Sequence, residues 1–125
     1  YNRLIPQVIT KSLKNKKFDC TKGIQKRDFI YIDDLIRVIF NVLKNNKATG
    51  EIINIGSGKG ITIKNLINNI VKFCKKGKPI FGAIEMRKDE SLKMCPSINK
   101  SKKILRFQSK VSLKKGLKKT ISFYK

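Results

Sequence analysis

No histidine occurs in this sequence, and that single absence removes a large share of enzyme chemistry. Histidine-based triads and general bases are excluded, and a zinc site loses one of its two usual ligand types. Cysteine is scarce too: Cys20, Cys74 and Cys95 make an odd number with no C-x-x-C pair. Isolated cysteines in a chain without a secretion signal read as reduced, mostly buried thiols, which makes the cytoplasm the expected compartment. No apolar run approaches the ~20 residues of a membrane span, and no signal-peptide pattern opens the chain. Acidic residues number only 8 against 30 basic ones, for a formal net charge of +22.

Such a charge ordinarily directs attention to nucleic acid or an anionic membrane. Its make-up argues otherwise. Lysine outnumbers arginine 25 to 5, isoleucine and asparagine are also abundant, and the lysines run along the whole chain. That is the signature of an AT-rich genome writing tolerant surface positions. Readers of nucleic acid concentrate arginine forks and stacking aromatics, and neither is concentrated here. Neither nucleic acid nor a membrane is the expected partner.

The 125 residues suffice for one modest domain with its own core. Leu4 to Leu13 is predicted as a helix with Pro6 in its first turn, where the missing N–H does no harm. A lysine-rich connector then leads to Phe18 and Cys20, and Thr21-Lys22-Gly23 form a turn. Gln25 to Leu35, QKRDFIYIDDL, is the stretch around which the rest is organised. It reads as a short apolar strand carrying an unpaired Arg27 at its mouth. The strand runs into a helix whose start is furnished with acceptors by Asp33 and Asp34.

That helix, over 34–46, has apolar residues on more than one stripe, which predicts burial on most of its girth. Glu51 to Ile55 reads as a buried strand with both faces covered. A chain this short has little with which to cover either. Together with an opening at Tyr1 and not at methionine, this leads to the expectation of a piece of a longer protein.

Thr62 is the predicted cap of a helix from Ile63 to about Lys75, and Pro79 to Met86 is expected to be extended with a break at Gly82. A short helix over Asn99 to Leu105 follows, then one from Leu113 to about Phe123 capped by Ser112. That last helix is cationic and amphipathic, and docking on the core explains its narrow apolar face better than a membrane surface does. Helices alternating with strands predict an α/β fold.

Two spacings invite a phosphate-binding interpretation. Gly56-Ser57-Gly58-Lys59-Gly60 fits neither a P-loop nor a dinucleotide fingerprint and is better read as a tight turn after a strand. Arg87 and Glu90 offer a fork for phosphate oxygens and an acceptor for ribose hydroxyls. By spacing alone, an exposed ion pair three residues apart is the blander account and the favoured one.

Taken in order, these segments resemble the C-terminal part of the extended short-chain dehydrogenase/reductase family, the NAD-dependent nucleotide-sugar epimerases and dehydratases. Leu4-Ile5-Pro6 is similar to the segment after the family's tyrosine helix, and GIQKRDFIYIDDL to its G-x-Q-x-R-D-F-x-Y-V-x-D stretch. GEIINIGSG is similar to the family's strand and turn, Arg87 to Glu90 to its R-x-x-D/E loop, and Ser112 to Tyr124 to its closing helix. The family's L-G-W-x-P is represented by Leu105-Arg106-Phe107-Gln108, which loses the glycine and puts phenylalanine for tryptophan.

The resemblance implies the substrate-binding portion of an extended Rossmann-type protein, without the N-terminal dinucleotide-binding part. Helix 34–46 and strand 51–55 would then pack on the missing sheet. It implies that Arg27 and Arg87 hold the diphosphate of a nucleotide sugar and that Glu90 accepts from its ribose. The backbone from Phe18 to Cys20 would border the base, and Leu4, Ile5 and Pro6 would line the sugar side. NAD or NADP would serve the complete protein. These 125 residues contain no G-x-x-G-x-x-G, and Tyr1, Tyr31 and Tyr124 all lack a lysine four residues on, so no catalytic residue and no cofactor site is expected within them. The RLIP opening and FGAIEMRKDE resemble the branch that builds deoxysugars for surface polysaccharide. A homodimer of the complete protein stays open, as do two alternatives: a small basic nucleic-acid-binding module and a non-catalytic paralogue.

Overall fold

The computed structural model describes residues 3–125. Tyr1 lies outside the described residues. Helix α1 spans Leu4–Leu13 as its apolar spacing predicts, with Val8 and Ile9 turned into the core. Strand β1, Lys17–Cys20, occupies what reads in sequence as the end of a connector. Its four residues alternate out and in, Phe18 and Cys20 inward, and it is held by parallel pairing with β4, Lys78–Phe81. The break predicted at Gly82 is present as a turn with φ +84°.

The organising stretch forms less strand than expected. Strand β2 covers only Lys26–Asp28, between antiparallel β3 (Gly60–Thr62) and parallel β5 (Lys93–Met94). It stops at Asp28 because that carboxylate turns to the following loop, accepting from Ser57 Oγ and from the Gly58 N–H at 2.8 Å. Phe29 packs against the main core, and Tyr31 becomes the N-cap of helix α2, Ile32–Leu43. Asp33 and Asp34 fall in the first turn of α2, where they suit the helix dipole, but the Asp34 side chain is fully buried and engaged elsewhere. Its Oδ2 accepts from the Lys110 and Val111 N–H groups, each at 3.0 Å.

Two expectations in this half are not met by the described residues on their own. Glu51 to Ile55 is not a strand, because no neighbouring strand lies beside it among the described residues. Helix α2 is not buried on most of its girth either. Only Asp34 and Val38 are buried, whereas Ile36, Ile39, Phe40 and Leu43 are 45 %, 51 %, 57 % and 76 % exposed. The helix also ends earlier than predicted, and a separate 3-10 turn at Asn46–Ala48 follows, capped by Asn45.

The remaining helices follow their local signals. Helix α3, Ile63–Cys74, is capped by Thr62, whose hydroxyl accepts from Asn65 N–H at 3.2 Å. Helix α4 is Asn99–Leu105, and α5, Leu113–Phe123, has Ser112 as its cap. The main core joins α1, β1, α3 and α5 through Ile9, Phe18, Leu66, Ile70 and Leu117. A smaller core gathers Val38, Ala48, Leu105 and Phe107, with Ile53 and Ile55 against it. Phe107 is thus a packing residue. No helix among the described residues is long and apolar enough to cross a membrane.

Candidate functional site

A cleft of about 630 Å³ opens where the start of α1, strand β1, the mouth of β2 and the loop before β5 converge. Its walls are mostly apolar: Leu4, Ile5 and Pro6 from α1, Phe18 and Cys20 from β1, and Ile63 and Ile67 from α3. Five charged residues also line it, Arg3, Lys11, Asp19, Arg27 and Glu90, of which Arg27 and Glu90 pair with each other. Seven of the eight residues singled out in the sequence therefore line one cavity. The eighth, Arg87, is exposed and does not line it. The two residues are joined by a turn in which Glu90 N–H donates to the Arg87 carbonyl at 3.1 Å, yet only Glu90 lines the cleft.

The sequence portrays Arg27 as unpaired and Arg87–Glu90 as an exposed ion pair. The structure corrects both. Glu90 pairs with Arg27, 63 residues away, through Oε1 and Nη2. Arg27 Nη1 donates to the carbonyls of Lys26 at 2.8 Å and Ser91 at 2.9 Å. Of the five guanidinium donors, the Nε–H and one Nη2–H are uncommitted among the described residues. Backbone pairing supports the same arrangement, with Lys26 N–H donating to Leu92 O at 2.8 Å and Arg27 level with Met94. Both side chains are only partly exposed, at 21 % and 24 %, so their attraction is less screened than that of a surface pair.

Cys20 lines the cleft, with its thiol directed to Phe18 O at 3.8 Å. Burial pushes this thiol above its ordinary pKa of 9.0; Lys11 opposes the shift and Asp19 adds to it. Burial likewise raises Cys74, against a smaller opposing pull from Lys125. Raised values mean that the neutral thiol persists, so alkylation by iodoacetamide at pH 8 should be slow at both and should accelerate only as pH climbs past 9. Mass-spectrometric mapping in the complete protein would read this, with half-buried Cys95 reacting first. Rapid labelling of Cys20 at pH 7 would contradict the assignment.

The glycine-rich loop bears on cofactor binding. A phosphate cradle needs free backbone N–H groups, but the Gly58 N–H is already taken by the Asp28 carboxylate, which would also repel an anion. This loop is a turn, and the residues present do not fit a dinucleotide. Among the described residues no cluster of three His, Cys, Asp or Glu could hold a metal ion. The cleft's chemistry is suited to a grip, with a guanidinium fork, carboxylates and apolar walls. Gln25, Phe29 and Ile84 also line it and were not singled out in the sequence. For Gln25 the signal was available, since it lies two residues before Arg27 and a strand sets such pairs on one face.

The architecture is that of the C-terminal portion of an extended Rossmann-type protein. A family model, the NAD dependent epimerase/dehydratase family, matches residues 1–56. CDP-abequose synthase of Salmonella muenchen is 35 % identical over 122 residues, covering 96 % of this chain and 41 % of that protein. Among solved structures, UDP-glucose 4-epimerase of Thermotoga maritima, crystallised with UDP-glucose, aligns at TM-score 0.88 and 25 % identity over 98 % of this chain and 39 % of that one. UDP-glucuronic acid 4-epimerase of Bacillus cereus, in complex with UDP-glucuronic acid and NAD, aligns at TM-score 0.85 and 28 % identity over 99 % and 41 %. The chain is thus similar to this family's model over its first 56 residues, and over nearly its whole length to a part of each of these relatives. It spans about 41 % of the length of the first curated relative it matches.

Proposed function

We propose that the cleft binds a nucleoside-diphosphate sugar and that the complete protein is an NAD(P)-dependent epimerase, dehydratase or reductase acting on it. The observation that carries this is Arg27, fixed at the cleft mouth by Glu90 and two carbonyls with N–H groups to spare. A diphosphate presents the planar-fork partner that such a group lacks. Leu4, Ile5 and Pro6 take the sugar side, and Phe18 to Cys20 border the base. Glu90 has a second carboxylate oxygen for the ribose. Arg87, on the outer side of the same turn, reaches the phosphates only by swinging inward. Hydride chemistry belongs to NAD or NADP held outside these residues, and a cytoplasmic deoxysugar or surface-polysaccharide pathway fits the relatives. The test is calorimetric titration of the complete protein with CDP-, UDP- and dTDP-glucose, and failure to bind any of them would refute it.

The partner of this chain, on the same proposal, is the remaining part of the complete protein, present as an apolar β-sheet. Helix α2 carries its most apolar stripe outward, Ile32, Ile36, Ile39, Phe40 and Leu43, and turns Asp34 and Val38 inward. Beside it, residues 52–55 alternate like a strand, Ile53 and Ile55 toward the small core and Ile52 88 % exposed, yet their backbone has no ladder among the described residues. An apolar helix face and an unpaired strand call for one sheet that the segment extends and the helix covers. Relatives more than twice as long have the material to supply it. Hydrogen exchange of the complete protein should show residues 52–55 protected roughly a hundredfold or more over the 87–89 turn. Free exchange would overturn this docking, as would protection lost on dilution to the monomer, which would mean that a second copy covers the face.

A further inference from the structure

Gln25 is 9 % exposed, lines the cleft and has a side-chain oxygen that is buried without a partner. Its backbone is fully used: the Gln25 carbonyl accepts from Ile63 N–H at 3.0 Å, which seats the start of α3. The side-chain amide makes no hydrogen bond among the described residues. Along 22–27 the chain alternates, with Lys22, Ile24 and Lys26 exposed and Gly23, Gln25 and Arg27 turned in. Gln25 and Arg27 thus present side chains to the same cavity, two residues apart. A buried amide left unpaired is destabilising, and native proteins keep few such groups without a use for them.

We infer that Gln25 is a ligand-contacting residue whose amide hydrogen-bonds an uncharged hydroxyl of the bound molecule. The chemistry selects the hydroxyl. Arg27 supplies the charge that a phosphate requires, and a neutral amide beside it adds little to an anion. A hydroxyl both donates and accepts, so it satisfies the amide whichever way its oxygen and nitrogen are turned. In a nucleoside-diphosphate sugar the hydroxyl belongs either to the sugar or to the ribose. The inference rests on the nucleotide-sugar proposal and adds a specificity-determining residue to it.

The experiment uses Gln25→Met in the complete protein, a change that keeps side-chain length and removes the polar end. Wild type is first titrated with CDP-, UDP- and dTDP-glucose; binding of none would defeat the nucleotide-sugar proposal and this inference with it. With the best of these, the variant should bind roughly three- to tenfold more weakly, the loss of one neutral hydrogen bond. Its urea midpoint should be unchanged or higher, because an unpaired buried amide has been removed. A residue with a purely structural role would give the opposite pair, with the midpoint lowered and affinity kept. Titration with the bare nucleoside diphosphate separates the two sources: undiminished binding assigns the sugar hydroxyl, and an equal loss assigns the ribose. Unchanged affinity for the nucleotide sugar, or a variant that no longer folds, overturns the inference while leaving the nucleotide-sugar proposal standing.

Discussion

Arg27→Ala in the complete protein is expected to weaken binding of its nucleoside-diphosphate sugar by roughly 10- to 150-fold. That range is the roughly 1.5–3 kcal/mol of a charge-assisted hydrogen bond, converted at about 1.4 kcal/mol per decade. The lower end would mean that the remaining contacts shift to compensate. The upper end would mean that the cleft mouth loses its shape as well, since the Arg27 side chain also reaches the Ser91 carbonyl and the Glu90 carboxylate. Arg27→Lys separates the two effects: it restores charge but not the planar fork, so it should recover only part of the loss. Glu90→Gln should cost less than Arg27→Ala, because the guanidinium keeps both carbonyls and loses one partner. Calorimetric titration reads all three. Affinity unchanged in Arg27→Ala would sink the assignment. Binding of DNA or RNA with a steep salt dependence that survived the substitution would favour the basic-module alternative.

The helices were legible because their determinants are local. Thr62 and Ser112 cap α3 and α5 as read, and the apolar stripe of α3, Ile63, Leu66, Ile67, Ile70 and Cys74, is buried along its length. The strands were less so. β1 and β2 are four and three residues long, too short for a periodic signal, and each exists because a distant segment pairs with it. For the same reason residues 51–55, apolar enough for a strand, form none where no neighbour is offered. Pattern reading identified α2 as an apolar helix. It could not reveal which stripe is covered within this chain, since that depends on Phe107 and Leu105, more than sixty residues on. The site divides similarly. Arg27 and Glu90 were visible as rare charges in apt places, but their pairing across 63 residues is a property of the assembled β2–β5 pair.

Asp34→Ala is expected to destabilise the complete protein by about 2–6 kcal/mol, the cost of leaving two partly buried backbone N–H groups without their acceptor. Asp34 has no exposed surface, and its Oδ2 is the acceptor for two successive backbone N–H groups, Lys110 and Val111. Alanine removes that acceptor and leaves both donors in a partly buried place, each costing about 1–3 kcal/mol. The ion pair with Arg37, Nη2 to Oδ1 at 2.9 Å, adds less, because Arg37 is 32 % exposed and water can take over its charge. Arg37 also donates to Gln108 O at 2.8 Å and lies over the Phe107 ring, so the same carboxylate fastens α2 to the whole 107–111 segment leading into α5. Asp34→Asn keeps one carbonyl oxygen for the two N–H groups but turns an amide NH₂ toward a guanidinium, and should lose about half as much. Urea unfolding of both variants measures the difference. A loss below about 1 kcal/mol for alanine would mean that the 107–111 segment is held by its apolar contacts and not by this carboxylate.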